Sequence, residues 1–135
     1  MLTPIPLLII PLAIYNIIAF LTPGVAWTSG LAEIDMMSGV RWTLTVSDVF
    51  LALCLFVLLF EVMKATRISS RSIVDHILSL LLFVCALIEF LMVPQAATSP
   101  FALLVAIMLL DVIIGFSVSI RVAQRDVALT AAPDQ

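Results

Sequence analysis

Residues 43–93 decide the fold. They contain two apolar runs, TLTVSDVFLALCLFVLLF (43–60) and ILSLLLFVCALIEFLMV (77–93), which flank the basic segment EVMKATRISSRSIVDH (61–76). A helix rises about 1.5 Å per residue, so roughly 20 apolar residues cross the ~30 Å hydrocarbon core of a bilayer. With their neighbouring residues, both runs reach that length. They predict a helical membrane hairpin with a basic turn.

The composition favours the same class of protein. Of the 135 residues, 64% are hydrophobic and only 11% are charged, whereas soluble domains are nearer half apolar and one quarter charged. We therefore expect an integral membrane protein whose main partner is the lipid bilayer, with no nucleic-acid partner. The net charge of -3 does not set its orientation, because orientation follows Lys and Arg near the membrane ends.

Hydropathy predicts an all-α protein with four membrane spans. The spans lie at about 5–22, 43–63, 73–93 and 100–120. The first is interrupted by Pro6 and Pro11. Proline is tolerated in the first turn of a helix, but Pro11 lies deeper and should kink the helix or mark its start. A cleaved signal peptide is the alternative; this segment lacks a basic n-region, and its apolar run is too long.

The connection between the first two spans, about 22–42, is long for a compact protein. Four of its apolar residues recur at every third position: Leu31, Ile34, Met37 and Val40. This spacing predicts a short amphipathic helix at the membrane interface, bracketed by Trp27 and Trp42 as aromatic-belt residues. An ordered loop resting on the lipid headgroups is the alternative.

The positive residues predict the orientation of the bundle. Five of them fall at one end: Lys64, Arg67, Arg71, Arg121 and Arg125. Arg41 alone falls at the other end. By the positive-inside rule we expect an up-down bundle with both termini in the cytoplasm, in a bacterial-type inner membrane. Residues 1–121 would form a single transmembrane domain and 122–135 a disordered cytoplasmic tail.

Three carboxylates fall inside the predicted spans: Asp48, Glu89 and Asp111. Ionisable groups at bilayer depth are costly and are candidates for function. Asp48 and Glu89 lie near the outer ends of antiparallel helices, and Asn16 falls between their level and that of Asp111. We predict that the four form one polar cluster facing the bundle interior.

The spans hold no Lys or Arg at that depth. The three carboxylates must therefore be protonated, share protons, bind a cation or pair with a charge from another chain. Hydrogen-bonded packing between helices is the alternative. Gly115 and Ser119 follow Asp111 at four-residue steps, and this small-residue spacing predicts that Asp111 faces another helix rather than lipid.

A second polar cluster is predicted at the cytoplasmic end, formed by Glu61, Lys64, Asp75 and His76. Glu61 and Lys64 are i,i+3 neighbours and can pair on one helix. Asp75 and His76 open the next helix, where the helix dipole favours an acid, and Ser72 is a candidate N-cap. His76 beside an acid is a candidate for titration near neutral pH; a solvated or capping histidine is the alternative.

The chain carries no phosphate-binding glycine loop, nucleophile elbow or zinc-protease motif. We therefore expect no catalytic residues, no cofactor and no metal site. The leading hypothesis is a small non-enzymatic accessory or interaction subunit of a membrane assembly, or a homo-oligomer, whose partners are other membrane-protein subunits or itself. One alternative is a proton- or cation-coupled transport or channel component that uses the intramembrane carboxylates. A further alternative is a lipid-binding protein whose basic turn contacts anionic headgroups.

Overall fold

The computed structural model describes residues 5–66 and 71–131. The chain is mostly helical, with helices α1 (Ile9–Leu21), α2 (Val46–Ala65), α3 (Arg71–Met92) and α4 (Ser99–Ala131). Two strands, β1 (Gly30–Asp35) and β2 (Arg41–Thr45), lie between α1 and α2, and a single 3₁₀ turn, Pro94–Ala96, precedes α4. Arg67 and residues 132–135, for which the sequence makes predictions, lie outside the described residues.

Three helices are long and apolar enough to cross a membrane: α2, α3 from Ile73 onward, and α4. This indicates a membrane location for a mostly helical protein. α1 is also apolar but has 13 residues, about 20 Å, which is shorter than the hydrocarbon core. It begins at Ile9, so Pro11 lies in its first turn, where the missing amide hydrogen removes no bond within the helix.

Residues 30–45 form an antiparallel β-hairpin, so the predicted interfacial helix is wrong and the fold is not entirely helical. Ile34 lies opposite Trp42, and the turn between the strands uses Gly39 at a φ of 86°. Glycine adopts such positive φ values readily because it has no Cβ.

The three-residue spacing that predicts the helix runs from β1 through the turn to the residue before β2. Leu31 and Ile34 belong to β1, Met37 lies at the tip, and Val40 lies just before β2. From Ala32 onward, apolar and acidic residues alternate along β1, which is the two-residue period of a strand. The spacing therefore joined residues that belong to different elements.

In the helical part, α4 lies between α2 and α3. It makes extensive contacts with both, and α1 packs against α2. Leu104 and Met108 of α4 are fully buried, together with Cys54 of α2 and Ala86 of α3. Consecutive helices α2 and α3 are therefore separated by the last helix over much of their length. Many large apolar side chains on α2 and α3 face outward, as expected of surfaces in contact with lipid.

An aromatic cluster closes the end of the bundle next to the hairpin. The Tyr15 ring stacks on Trp27 at a centroid distance of 4.6 Å and meets Phe101 edge-on at 4.8 Å. The Tyr15 hydroxyl donates to the Gln95 carbonyl at 2.8 Å and lies 2.6 Å from Thr98 Oγ1. These contacts fix α1 against the turn between α3 and α4.

α4 continues to Ala131, so residues 122–131 are helical where the sequence predicts a disordered tail. The segment from Arg121 to Ala131 contains neither glycine nor proline, and its alanines, arginines, glutamine and leucine are good helix formers. Thr130 Oγ1 donates back to the Asp126 carbonyl at 2.9 Å. The helix thus continues about eleven residues beyond the apolar run from which its end was predicted.

Candidate functional site: a buried polar cluster

The predicted polar residues form two groups at opposite ends of the bundle. Asn16 and Glu89 meet near the hairpin end. The group at the opposite end consists of Glu61, Lys64, Asp75, His76 and Asp111. Asp111 thus lies with the cluster predicted at the end of the α2–α3 turn. The described contacts do not assemble Asp48, Glu89, Asp111 and Asn16 into the one cluster that the sequence predicts.

The outer pair is half-buried. Asn16 Nδ2 donates to Glu89 Oε2 at 3.4 Å and to the Leu12 carbonyl at 3.0 Å. The contact joins α1 to α3. Of the predicted four-residue cluster, these two are brought together.

Asp48 caps α2 instead of joining a cluster. Its backbone N–H donates to Thr45 Oγ1 at 3.2 Å, and the Thr45 N–H donates to Asp48 Oδ2 at 2.9 Å. This reciprocal arrangement is a capping box, which satisfies amide groups that have no partner within the helix. The residues Thr45-Val-Ser-Asp48 carry its local signature, so the cap was readable from the sequence.

The inner cluster is centred on Lys64. Its Nζ lies 3.2 Å from Asp75 Oδ2 and 3.7 Å from Glu61 Oε2. The three side chains are only 10%, 11% and 4% exposed, respectively. The i,i+3 pairing of Glu61 with Lys64 is thus formed, and Lys64 also joins α2 to α3.

The same two α2 side chains hold the segment that precedes α1. Lys64 Nζ donates to the Ile5 carbonyl at 2.9 Å, and Glu61 Oε2 accepts from the Leu7 N–H at 2.9 Å. Backbone groups ahead of a helix lack partners within it, so these two bonds satisfy groups that lipid would leave unbonded. The sequence carries no signal for these contacts, because they join residues more than 50 positions apart.

His76 connects α3 to α4. Its Nε2 lies 2.6 Å from Ser119 Oγ, and its ring faces Gly115 so closely that a Cβ there would lie 2.8 Å from Nδ1. The ring is also 5.4 Å from that of Phe116. The small residues of α4 therefore provide the space that the imidazole fills. Solvated or capping roles do not describe this buried contact between helices.

Asp111 faces the same interface and is 5% exposed. Its carboxyl group lies beside Ser79 and within electrostatic range of Glu61, Asp75 and Lys64. Ser79 Oγ is buried and has no well-aligned hydrogen-bond partner among the described residues. The inner cluster thus contains three carboxylates and one lysine, a formal charge of -2 when all are ionised and His76 is neutral.

An apolar layer separates the inner cluster from the outer pair. Ser79 and Glu89 are ten residues apart on α3, which is about 15 Å along a helix. The buried residues Ala86, Leu104 and Met108 occupy this interval. The two polar sites are therefore not continuous in the structure.

Within the two described ranges, no grouping of three or more His, Cys, Asp and Glu side chains has the arrangement of a metal site. No family model, curated protein or solved structure matches the chain.

Proposed function

We propose that this chain is a non-enzymatic interaction subunit of a membrane assembly that docks through the end of α4. The length of α4 is the observation that carries the proposal. Its 33 residues extend about 50 Å, roughly 20 Å more than a hydrocarbon core. Part of this helix therefore projects from the bilayer.

The His76–Ser119 contact sets the relative level of α3 and α4. α3 begins five residues before His76, and α4 ends twelve residues after Ser119. In an antiparallel pair, α4 then passes the first residue of α3 by about seven residues, or roughly 10 Å. A shallow groove follows this projecting end, lined by Ile120, Ala123, Gln124, Val127, Ala128 and Ala131. We propose that a helix of a partner subunit, or of a second copy, packs there.

The proposal includes four membrane crossings. Support for the first comes from the contacts of its two ends: Leu7 bonds to Glu61 at the inner end of α2, and Tyr15 bonds to Gln95 in the turn beyond α3. The segment from Ile5 to Leu21 thus reaches from one end of the bundle to the other. Its residues ahead of α1 add the length that the 13-residue helix lacks.

Reporter fusions test this topology. Fusions after Ala65 and Gln135 are expected to be cytoplasmic, because basic residues gather at 64–71 and 121–125. Fusions near Glu33 and Ala97 are expected to be external. The measurement is the activity of a reporter that works on only one side of the membrane. An external C-terminus would rule out both-termini-inside topology and place the α4 groove on the other side.

A pair of charge insertions tests the docking groove. Val127 lines the groove, whereas Leu129 lies outside it, and the two side chains are similarly exposed, at 68% and 67%. Val127→Glu is expected to lower recovery of the bound partner, or self-association, more than tenfold, since a buried unpaired charge costs several kcal/mol. Leu129→Glu is the matched control and should retain binding. Affinity purification of the full chain in mild detergent measures both; equal binding by the two variants would contradict the groove.

A second candidate function is proton coupling, which the charge imbalance of the inner cluster favours. Three carboxylates share one lysine in a buried site, and uncompensated buried charge is strongly unfavourable. Neutrality is reached if the cluster retains protons. Passage to the outer pair would also require the intervening apolar layer to open, so this candidate needs a conformational change that the first does not.

Asp111→Asn distinguishes the two functions. Asparagine keeps the shape of the side chain but cannot exchange a proton. Under proton coupling, purified wild-type protein in vesicles should therefore conduct protons, and Asp111→Asn should lower the flux to the background of empty vesicles. Asp126→Asn, at a carboxylate on the projecting part of α4, is the control and should keep the flux. A pH-sensitive dye inside the vesicles reports the rate. Equal flux in wild-type protein and Asp111→Asn would refute proton coupling through this residue.

A further inference from the structure

The strand register sorts the hairpin side chains onto two faces. Residues directly opposite each other in an antiparallel pair lie on the same face. Glu33 opposes Thr43 and Asp35 opposes Arg41, so one face is polar. Arg41 pairs on it with Glu33 at 3.2 Å and Asp35 at 2.9 Å.

The other face is apolar. Ala32 opposes Leu44 and Ile34 opposes Trp42. The Met36 N–H bonds to the Val40 carbonyl at 2.9 Å and extends the pairing toward the tip. Four of these side chains are 43–65% exposed: Ile34, Met36, Val40 and Trp42. The described residues of the chain leave this face open.

The hairpin is held at the end of a membrane-crossing helix. β2 ends at Thr45 and α2 begins at Val46 without a linker, and the Thr45–Asp48 capping box fixes the junction. The bonds from Val46 N–H to the Ser29 carbonyl and from Ser47 N–H to the Trp27 carbonyl continue the pairing into the first turn of α2. The hairpin therefore starts at the level where the outward surface of α2 leaves the hydrocarbon core.

We propose that the apolar face of this hairpin lies on the interface of the adjacent lipid leaflet, with Trp42 at headgroup level and the polar face toward water. Amphipathic elements bind the interface in this orientation, and tryptophan is enriched there. The bilayer is the occupant that the attachment to α2 brings within reach, because that helix exposes apolar side chains such as Val49 and Leu53 in the turns that directly follow the hairpin.

The size of the face argues against a second copy as its cover. Two strands of about six residues form a face roughly 20 Å long and 10 Å wide, or about 200 Å². A stable protein interface needs about 800 Å² from each partner. The bilayer carries no such requirement, since every exposed apolar side chain that enters it contributes separately. The proposal is independent of the α4 groove, which lies at the other end of the bundle.

Tryptophan fluorescence tests the placement. The chain has two tryptophans, so Trp27→Phe leaves Trp42 as the only reporter and keeps an aromatic ring against Tyr15. The protein is reconstituted in phosphatidylcholine vesicles that contain spin-labelled lipids. We expect labels near the glycerol to quench Trp42 several-fold more strongly than labels near the chain ends. If Trp27→Phe does not fold, the difference between wild-type protein and Trp42→Phe supplies the same signal.

Two face-specific variants complete the experiment. Ile34→Asp places a charge on the apolar face and should abolish quenching by shallow lipid labels, whereas Thr43→Asp alters the polar face and should leave it intact. Quenching of Trp42 by acrylamide in the water phase without lipid quenching would overturn the proposal. Protection from both quenchers would also overturn it, because a protein rather than lipid would then cover the face.

Discussion

Replacing Lys64 with methionine is expected to lower the free energy of unfolding by about 3–5 kcal/mol, the usual effect of removing one partner of a buried ion pair. Lys64 lies against two carboxylates, Glu61 and Asp75, and also binds the Ile5 carbonyl. Methionine retains most of the apolar stem, so packing changes little. The loss comes from leaving buried carboxylates and a backbone carbonyl without their cation.

Equilibrium unfolding by a denaturing detergent in mixed micelles measures this loss. Arg121→Met is the matched control, because Arg121 is an exposed cation in the last third of α4; exposed substitutions usually stay within about 0.5 kcal/mol. Adding Asp75→Asn to Lys64→Met should recover part of the stability, since it removes one of the orphaned charges. A loss no greater than that of Arg121→Met would show that Lys64 does not stabilise the cluster.

Gly115→Ala is expected to cost about 1–3 kcal/mol, the usual penalty for overpacking a well-packed interior. Its Cβ would lie 2.8 Å from Nδ1 and 2.9 Å from Cε1 of His76, closer than van der Waals contact allows. The imidazole cannot move freely, because its other side is bonded to Ser119 and the residue is buried. Relief requires breaking that bond or moving α3 away from α4.

A double-mutant cycle gives this prediction its sharpest form. In a His76→Ala background the steric cause is gone, so Gly115→Ala should cost far less there than in the wild type, a coupling that the cycle measures directly. Gly24→Ala is the control, since a Cβ at that position meets nothing within 4 Å. Additive effects of His76→Ala and Gly115→Ala on the free energy of unfolding would contradict the close contact between residues 76 and 115.

The bounds of the long helices were predictable from local composition. α2 and α3 begin and end within three residues of the predicted spans, and α4 begins at Ser99, one residue before the predicted start. Apolar runs determine these positions because lipid requires all backbone groups to bond within the segment. The far end of α4 does not follow this rule, since the residues beyond Ile120 no longer form an apolar run and remain helical through their intrinsic propensity.

The membership of the polar clusters depended on packing order, which local patterns do not encode. Placing Asp48 near Glu89 required α2 and α3 to be neighbours, but α4 lies between them. The sequence predicts that Asp111 joins Asp48 and Glu89 because depth is counted along each helix separately. Contacts between helices bring it instead to Ser79 and the Lys64 cluster. The pairing of Glu61 with Lys64 needed no such information, because the two residues are i,i+3 neighbours on one helix.

The bonds of the segment from Ile5 to Leu21 also determine when its contacts can be completed during synthesis. The Leu7 N–H bonds to Glu61, which follows it by 54 residues. The Tyr15 hydroxyl bonds to Gln95 and Thr98, which follow it by 80 and 83 residues. When synthesis has reached only the end of the β-hairpin, the chain therefore holds polar groups whose partners have not yet been translated. The first segment therefore acquires its final contacts late, once Gln95 and Thr98 have been made, and both of its ends are fixed by residues that follow it in the chain.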